Sequence, residues 1–144
     1  EHVRICQVEP AYSDLEDVPE KGWYKILFAD SPENIALLEK YIRSKNYSVD
    51  FVRSHDTFIE MLPKGSSKGA ALKEYAKIMG MEDFKVIAAG DYHNDIEMLQ
   101  TADVGAATAN AQPDVKKSAD IVLEKSNEQG AIAELIDMIY NGKI

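Results

Sequence analysis

One cysteine, Cys6, is all the thiol this sequence holds, which excludes an internal disulfide and fits a reducing cytoplasm. Basic residues are also scarce: 16 Lys and Arg against 25 Asp and Glu give a net charge of −9. A nucleic-acid footprint needs a basic patch or stripe, so that class of partner is excluded. No apolar run approaches the length of a membrane span, so no membrane partner is expected. Repeats and low-complexity tracts are absent, and so are an initiator Met and a signal-peptide pattern. The chain opens on Glu1-His2-Val3-Arg4-Ile5, as if in mid-strand, and residues upstream are expected. What remains is ordinary for a globular protein, 45% hydrophobic and 28% charged. At 144 residues it suffices for one domain or two small lobes.

The hydrophobic pattern changes character part-way along. Residues 2–8 read as a strand, with Cys6 as a packed strand residue rather than a nucleophile, and 9–22 as a polar loop. Residues 23–29 form a second apolar strand. Ser31 or Asp30 caps a helix that starts at Pro32 and carries Ile35, Leu38 and Ile42 on one face to about Lys45. Residues 48–54 and 57–62 are two short strands joined near His55-Asp56. Residues 1–62 therefore read as a small α+β layer.

From residue 63 onward strands alternate with helices. Ser66 or Ser67 caps a helix with Leu72, Tyr75, Ala76 and Met79 on one face, ended by Gly80. Residues 84–89 form an apolar strand, 94–101 a helix, 104–108 a strand, 113–118 a short helix and 120–123 a short strand. Gly130 precedes a last helix expected to turn Ile132, Leu135, Ile136 and Ile139 inward. This alternation predicts an α/β class, with a parallel sheet and right-handed crossovers, for residues 63–144.

The most telling segment is Gly90-Asp91-Tyr92-His93-Asn94-Asp95, between the apolar strand and the helix that follows. Open α/β sheets bind ligands at the carboxyl ends of their strands. Asp91 and Asp95 face one point if the first ends the strand and the second lies in the first helical turn. Mg²⁺ takes such hard oxygen ligands and shares them with substrate phosphate. Lys68, at a helix start, and Asn110, after the next strand, belong to the same sheet edge. Two acids to hold a cation, a lysine to neutralise phosphate and an amide to donate to it make a metal–phosphate site. Each residue has a plainer alternative: Asp91 as a helix N-cap, Asp95 as a first-turn acid, Lys68 as a solvated helix-start lysine. His93 reads as rim, Lys64 as solvated, and Trp23, Tyr24, Phe28 and the five methionines as packing.

The stretches KGSSKGAALK, GDYHNDIEML and VGAATANAQPDVKKSADIVLEKSNEQG, in this order, resemble the third and fourth motifs and the tail of the haloacid dehalogenase superfamily phosphatases, Cof-type branch. The resemblance covers residues 58–139. It implies half of a Rossmann-like core over 63–144, with 1–62 as the C-terminal part of an α+β cap. It further implies an Mg²⁺-dependent phosphatase of small phosphorylated metabolites that works through an aspartyl-phosphate. Asp91 would be a direct Mg²⁺ ligand and Asp95 a metal support, directly or through water. Lys68 would pair with the nucleophile and the phosphate, and Asn94 would contact phosphate or the cap side.

One part of the family pattern is missing. The family's Asp-x-Asp occurs nowhere in the sequence, nor does the phosphate-holding Ser or Thr of the second motif. Asp14-Leu15-Glu16-Asp17 lies in a polar loop, Asp30 is followed by Pro32 where the second acid belongs, and Asp83 has no acid two residues on. The chain by itself is therefore expected to be inactive. The strand at 86–89 is expected to be an edge that pairs with a missing half of the protein or a second copy. Two alternatives are a non-catalytic metal- or phosphate-binding module, and the phosphorylation domain of a cation pump, which lacks support from any membrane segment.

Overall fold

The fold is known from a computed structural model, which describes residues 11–18, 21–81 and 83–144. The expected strand at 2–8, Cys6 included, lies outside the described residues. The described elements make two three-stranded sheets of opposite character.

The first sheet is antiparallel. Strands β1 (Ile26–Ala29), β2 (Val49–His55) and β3 (Phe58–Pro63) lie in the order β1-β3-β2, and helix α1 (Pro32–Arg43) joins β1 to β2. Ser31 caps α1 by accepting from the Asn34 N–H at 3.3 Å, with Pro32 in the first turn. Ile35 of α1 and Ile59 of β3 are almost fully buried and form the centre of this layer. The reading of 23–29 as strand is shortened to four residues, and Tyr24 is exposed rather than packed.

The second sheet is parallel, in the order β4 (Ile87–Gly90), β5 (Val104–Ala107), β6 (Ile121–Val122). Around it run α2 (Lys68–Ile78), α3 (Ile96–Thr101), α4 (Pro113–Ser118) and α5 (Ala131–Tyr140). Because side chains alternate across a strand, the sheet has two apolar faces. Ala88 and Ala107 meet Leu99 and Val115, from α3 and α4. Ala106, Ile87 and Ala89 meet Leu123, Ala131 and Leu135, on the side of α5. Short strands of alanine and glycine let helices come close. A Cβ on Gly105 would sit 2.5 Å from the Leu99 carbonyl oxygen.

Three expectations fail here, for related reasons. The strand expected at 84–89 begins only at Ile87, and Phe84 is 65% exposed in the approach loop. On α5, Leu135 is buried, but Ile132, Ile136 and Ile139 are 55%, 58% and 42% exposed. Tyr75 on α2 and Met79 at its C-cap are exposed as well. Each helix has an apolar arc wider than the surface it covers. α5 meets the sheet through Ala131, Leu135 and Met138, one stripe of that arc. The neighbouring isoleucine stripe, Ile132, Ile136 and Ile139, lies outside that contact among the described residues. Among the described residues β4 has one neighbour, β5.

Gly105→Ala should lower the unfolding free energy by about 1–3 kcal/mol, the usual cost of overpacking a tight contact. Urea denaturation followed by circular dichroism measures it, and an unchanged midpoint would mean that α3 shifts away freely.

Candidate metal and phosphate site

β4 ends at Gly90, and the chain turns sharply over the next residues into a single 3₁₀ turn, His93–Asp95, that leads into α3. Gly90 is required by a close approach: a Cβ there would lie 2.4 Å from the Asp95 Cβ. Asp95 is folded back under the turn and is only 5% exposed. Its Oδ2 accepts from the Asp91 N–H at 3.0 Å and the Tyr92 N–H at 3.2 Å. Its Oδ1 is paired with the Lys68 ammonium. A buried carboxylate is costly unless paired and hydrogen-bonded, and here both oxygens are engaged.

Lys68 is the first residue of α2, whose N-cap Ser67 accepts from the Ala70 N–H at 2.9 Å. A lysine at a helix N-terminus opposes the helix dipole. The Asp95 carboxylate offsets that cost and sets the ammonium against the turn. Gly69 makes the meeting possible, since a Cβ on it would lie 2.8 Å from the backbone of Glu97 in α3. The two N-termini, α2 and the turn before α3, are thereby clamped together.

Asp91 is half-buried at the tip of β4. Its Oδ2 accepts from Asn110 Nδ2 at 3.0 Å, and its backbone carbonyl accepts from the Gln112 N–H at 3.0 Å. Among the described residues Oδ1 has no partner, so it is the open donor of the site, and no third His, Cys, Asp or Glu completes a metal cluster. Asn94, Lys68 and Ser67 line a cavity of about 350 Å³ whose opposite wall is Val52, Glu60 and Leu62 from β2 and β3. The structure thus brings all four sequence-expected residues, Lys68, Asp91, Asn94 and Asp95, to one end of β4. Asp91 and Asp95 do not present parallel free carboxylates, however, because Asp95 is already used.

The antiparallel sheet touches the same turn. Tyr92 Oη donates to Asp56 Oδ1 at 2.7 Å, at the tip of the β2–β3 hairpin. The His55 ring stacks on the Tyr92 ring, centroids 6.4 Å apart. Burial, then the Asp56 hydrogen bond and charge, push the Tyr92 phenol up to about 12. His93, read as rim, is partly exposed and its Nε2 lies 3.0 Å from Asp114 Oδ2. Lys64, read as solvated, pairs with Asp50 at 2.7 Å while staying largely exposed. Sequence reasoning passed over Tyr92, because the aromatic at that place has no periodic partner, and Asp56 is 36 residues away.

Residues 6–136 match the haloacid dehalogenase-like hydrolases. The chain belongs to that family. It is of the Cof type, and its α/β fold combines part of the Rossmann-like haloacid dehalogenase core with part of a cap. A phosphoglycolate phosphatase of Methanosarcina acetivorans is 40% identical over 146 residues, covering 100% of this chain and 59% of that protein. A haloacid dehalogenase-like hydrolase from Bacillus subtilis superposes with a TM-score of 0.77 at 29% identity, over 94% of this chain and 49% of its own. The sugar phosphatase BT4131, described as haloacid dehalogenase subclass IIB, superposes at 0.67 with 26% identity, over 84% and 44%. The chain spans about half the length of the curated relatives it matches.

Two measurements test this geometry. Asp95→Ala leaves two backbone N–H groups and Lys68 without their acceptor, and should cost about 1–3 kcal/mol in a urea melt. Tyr92 should titrate near 12 instead of the ordinary 10.0. Because the folded value is raised, the bond's contribution to stability is complete below the unfolded value and is lost as pH climbs from there towards the folded one. Ultraviolet titration of the wild type against Tyr92→Phe isolates that phenol; a missing component near 10 would contradict the Asp56 bond.

Proposed function

We propose that this chain is part of an Mg²⁺-dependent phosphatase of small phosphorylated metabolites, which forms an aspartyl-phosphate on a nucleophilic Asp outside this chain. One observation supports it above the others: an open Asp91 carboxylate oxygen, the Lys68 ammonium and the Asn94 amide share the carboxyl end of a parallel strand. The donor set fits a hard cation, since carboxylate oxygen is what Mg²⁺ prefers. Asp91 would ligate it through Oδ1. Asp95 supports the metal at one remove, by holding the Asp91 backbone and Lys68.

The bound ion would supply charge neutralisation of the phosphate and polarise its P–O bonds. Lys68 is the catalytic residue on this chain: half-exposed beyond its pairing with Asp95, it adds a positive charge where phosphoryl charge develops. Asn94 donates its amide to a phosphate oxygen. Residues 63–144 act as the C-terminal half of the core, and 1–62 as the C-terminal part of the cap. The hairpin of the cap closes over the turn through Tyr92 and Asp56 and walls the cavity in which the leaving group sits. Relatives named for phosphoglycolate and for sugars support a small phosphorylated substrate. The lone cysteine supports a cytoplasmic setting.

The partner of this half is the remainder of the protein, or a second copy, paired along the open edge of β4 and covering the exposed isoleucines of α5. Each such side chain offers about 1.5–3 kcal/mol on full burial. A second reading, a metal- or phosphate-binding module without turnover, would use the same Asp91, Lys68 and Asn94 set.

The test is phosphate release from a panel of phosphorylated metabolites by the full-length protein, with and without Mg²⁺. Asp91→Ala should reduce Mg²⁺-dependent turnover by about 10²-fold or more, as loss of one charge-stabilising group does. His93→Ala should change it little. Full activity in Asp91→Ala would sink the metal assignment, and Mg²⁺ binding without any turnover would favour the module.

A further inference from the structure

Asn110, which the sequence places at the same sheet edge, lies in the turn between β5 and α4, and the proposed function leaves its contacts unused. Its side-chain amide makes three hydrogen bonds, one within its own turn and two to separate segments. Oδ1 accepts from the Asn127 backbone N–H at 2.9 Å and from Thr108 Oγ1 at 2.9 Å. Nδ2 donates to Asp91 Oδ2 at 3.0 Å.

The orientation of this amide is dictated rather than chosen. A backbone N–H can only donate, so the atom facing Asn127 must be the oxygen. The NH₂ group is then left facing Asp91, where only a donor is tolerated beside a carboxylate. The same turn also grips Asp91 by its backbone, through the Gln112 N–H to the Asp91 carbonyl at 3.0 Å. Two points of attachment, one on the backbone and one on the carboxylate, leave Asp91 little rotational freedom. They commit Oδ2 to the protein and leave Oδ1 for a ligand.

The segment that orients Asn110 is itself held firmly. Glu134, on α5, accepts from the Glu124 and Lys125 N–H groups, both at 2.9 Å. Gln129 Oε1 accepts from the Ser126 N–H at 3.2 Å, and the Lys125 carbonyl accepts from the Ala109 N–H at 3.0 Å. A continuous set of hydrogen bonds therefore runs from α5 through the 124–130 segment to Asn110 and ends on the Asp91 carboxylate.

We propose that Asn110 is a positioning residue that aims Asp91 at the metal, acting as the outer-shell partner that such ligands depend on. The inference rests on the metal reading proposed above, and the test separates the two. Mg²⁺ affinity of the full-length protein is measured by calorimetry for Asn110→Ala, Asn110→Asp and Asp91→Ala, with circular dichroism of the metal-free proteins as the control for folding. Asn110→Ala should weaken Mg²⁺ binding by about 10–100-fold, the usual range for loss of an outer-shell partner, with the fold retained.

Asn110→Asp keeps an acceptor for Asn127 and Thr108, so the turn survives even if the alanine variant fails to fold. It replaces the donor with a further carboxylate and releases Asp91. More oxygen ligands in a looser site favour Ca²⁺, so its preference for Mg²⁺ over Ca²⁺ should fall by about 10-fold. If the folded variants at 110 keep wild-type affinity and selectivity while Asp91→Ala loses Mg²⁺, Asn110 is only structural and the inference is overturned, with the metal reading intact. If Asp91→Ala binds Mg²⁺ like the wild type, both fail.

Discussion

Asp95 carries more of this site than its place in the sequence suggests. One buried carboxylate accepts two backbone N–H groups of the turn and the Lys68 ammonium. The first pair shapes the loop that presents Asp91. The second joins that loop to the start of α2, 27 residues earlier in the chain. Neighbouring glycines are subordinate to it: Gly90 lacks a Cβ because Asp95 occupies that space, and Gly69 lets α2 approach α3 closely enough for Lys68 to reach. A charged group is tolerated inside only because every lone pair that matters is used. The result is a preorganised positive end at Lys68 beside an open negative end at Asp91, and that polarity suits a cation–phosphate pair.

The antiparallel layer adds a wall rather than chemistry. Its hairpin reaches the turn through the Asp56–Tyr92 bond and the His55–Tyr92 stack, and its strands set Glu60, Leu62 and Val52 across the cavity from Asn94. A sheet that holds its inner face on α1 through Ile35 and Ile59 can turn its other face to a ligand. In the proposed phosphatase those wall residues would face the leaving group and the core residues the phosphate.

The exposed apolar surface belongs to the same picture. Ile132, Ile136 and Ile139 of α5 are exposed, and among the described residues β4 pairs only with β5; under the proposed function these are the surfaces a partner would cover.

Much of this was legible in the sequence. Ser31, Ser67 and Pro113 mark helix starts, and β2 and β3 appear with the right connection. The Gly90–Asp95 segment marks a candidate site because a glycine turn with two acids and an amide follows an apolar strand at the sheet's carboxyl edge. These features are local: caps, turns and periodicities act over three or four residues, and a sequence displays them directly. Which side of an apolar helix finds a partner is not local. The arc of α5 promised four inward residues, and only Leu135 is buried, because only one stripe of that arc, Ala131, Leu135 and Met138, meets the sheet among the described residues. The division of labour between Asp91 and Asp95 is likewise tertiary. Both read as metal acids from their spacing alone. Only the arrival of Lys68 from α2 and Asn110 from the β5 turn commits one carboxylate to holding the loop and leaves the other with a free oxygen. The sequence by itself determined the elements, the family resemblance and the set of polar groups gathered at one strand end. Tertiary structure decided which of those groups are spent on each other and which remain for a ligand, because hydrogen-bond partners are assigned by proximity in space and not along the chain.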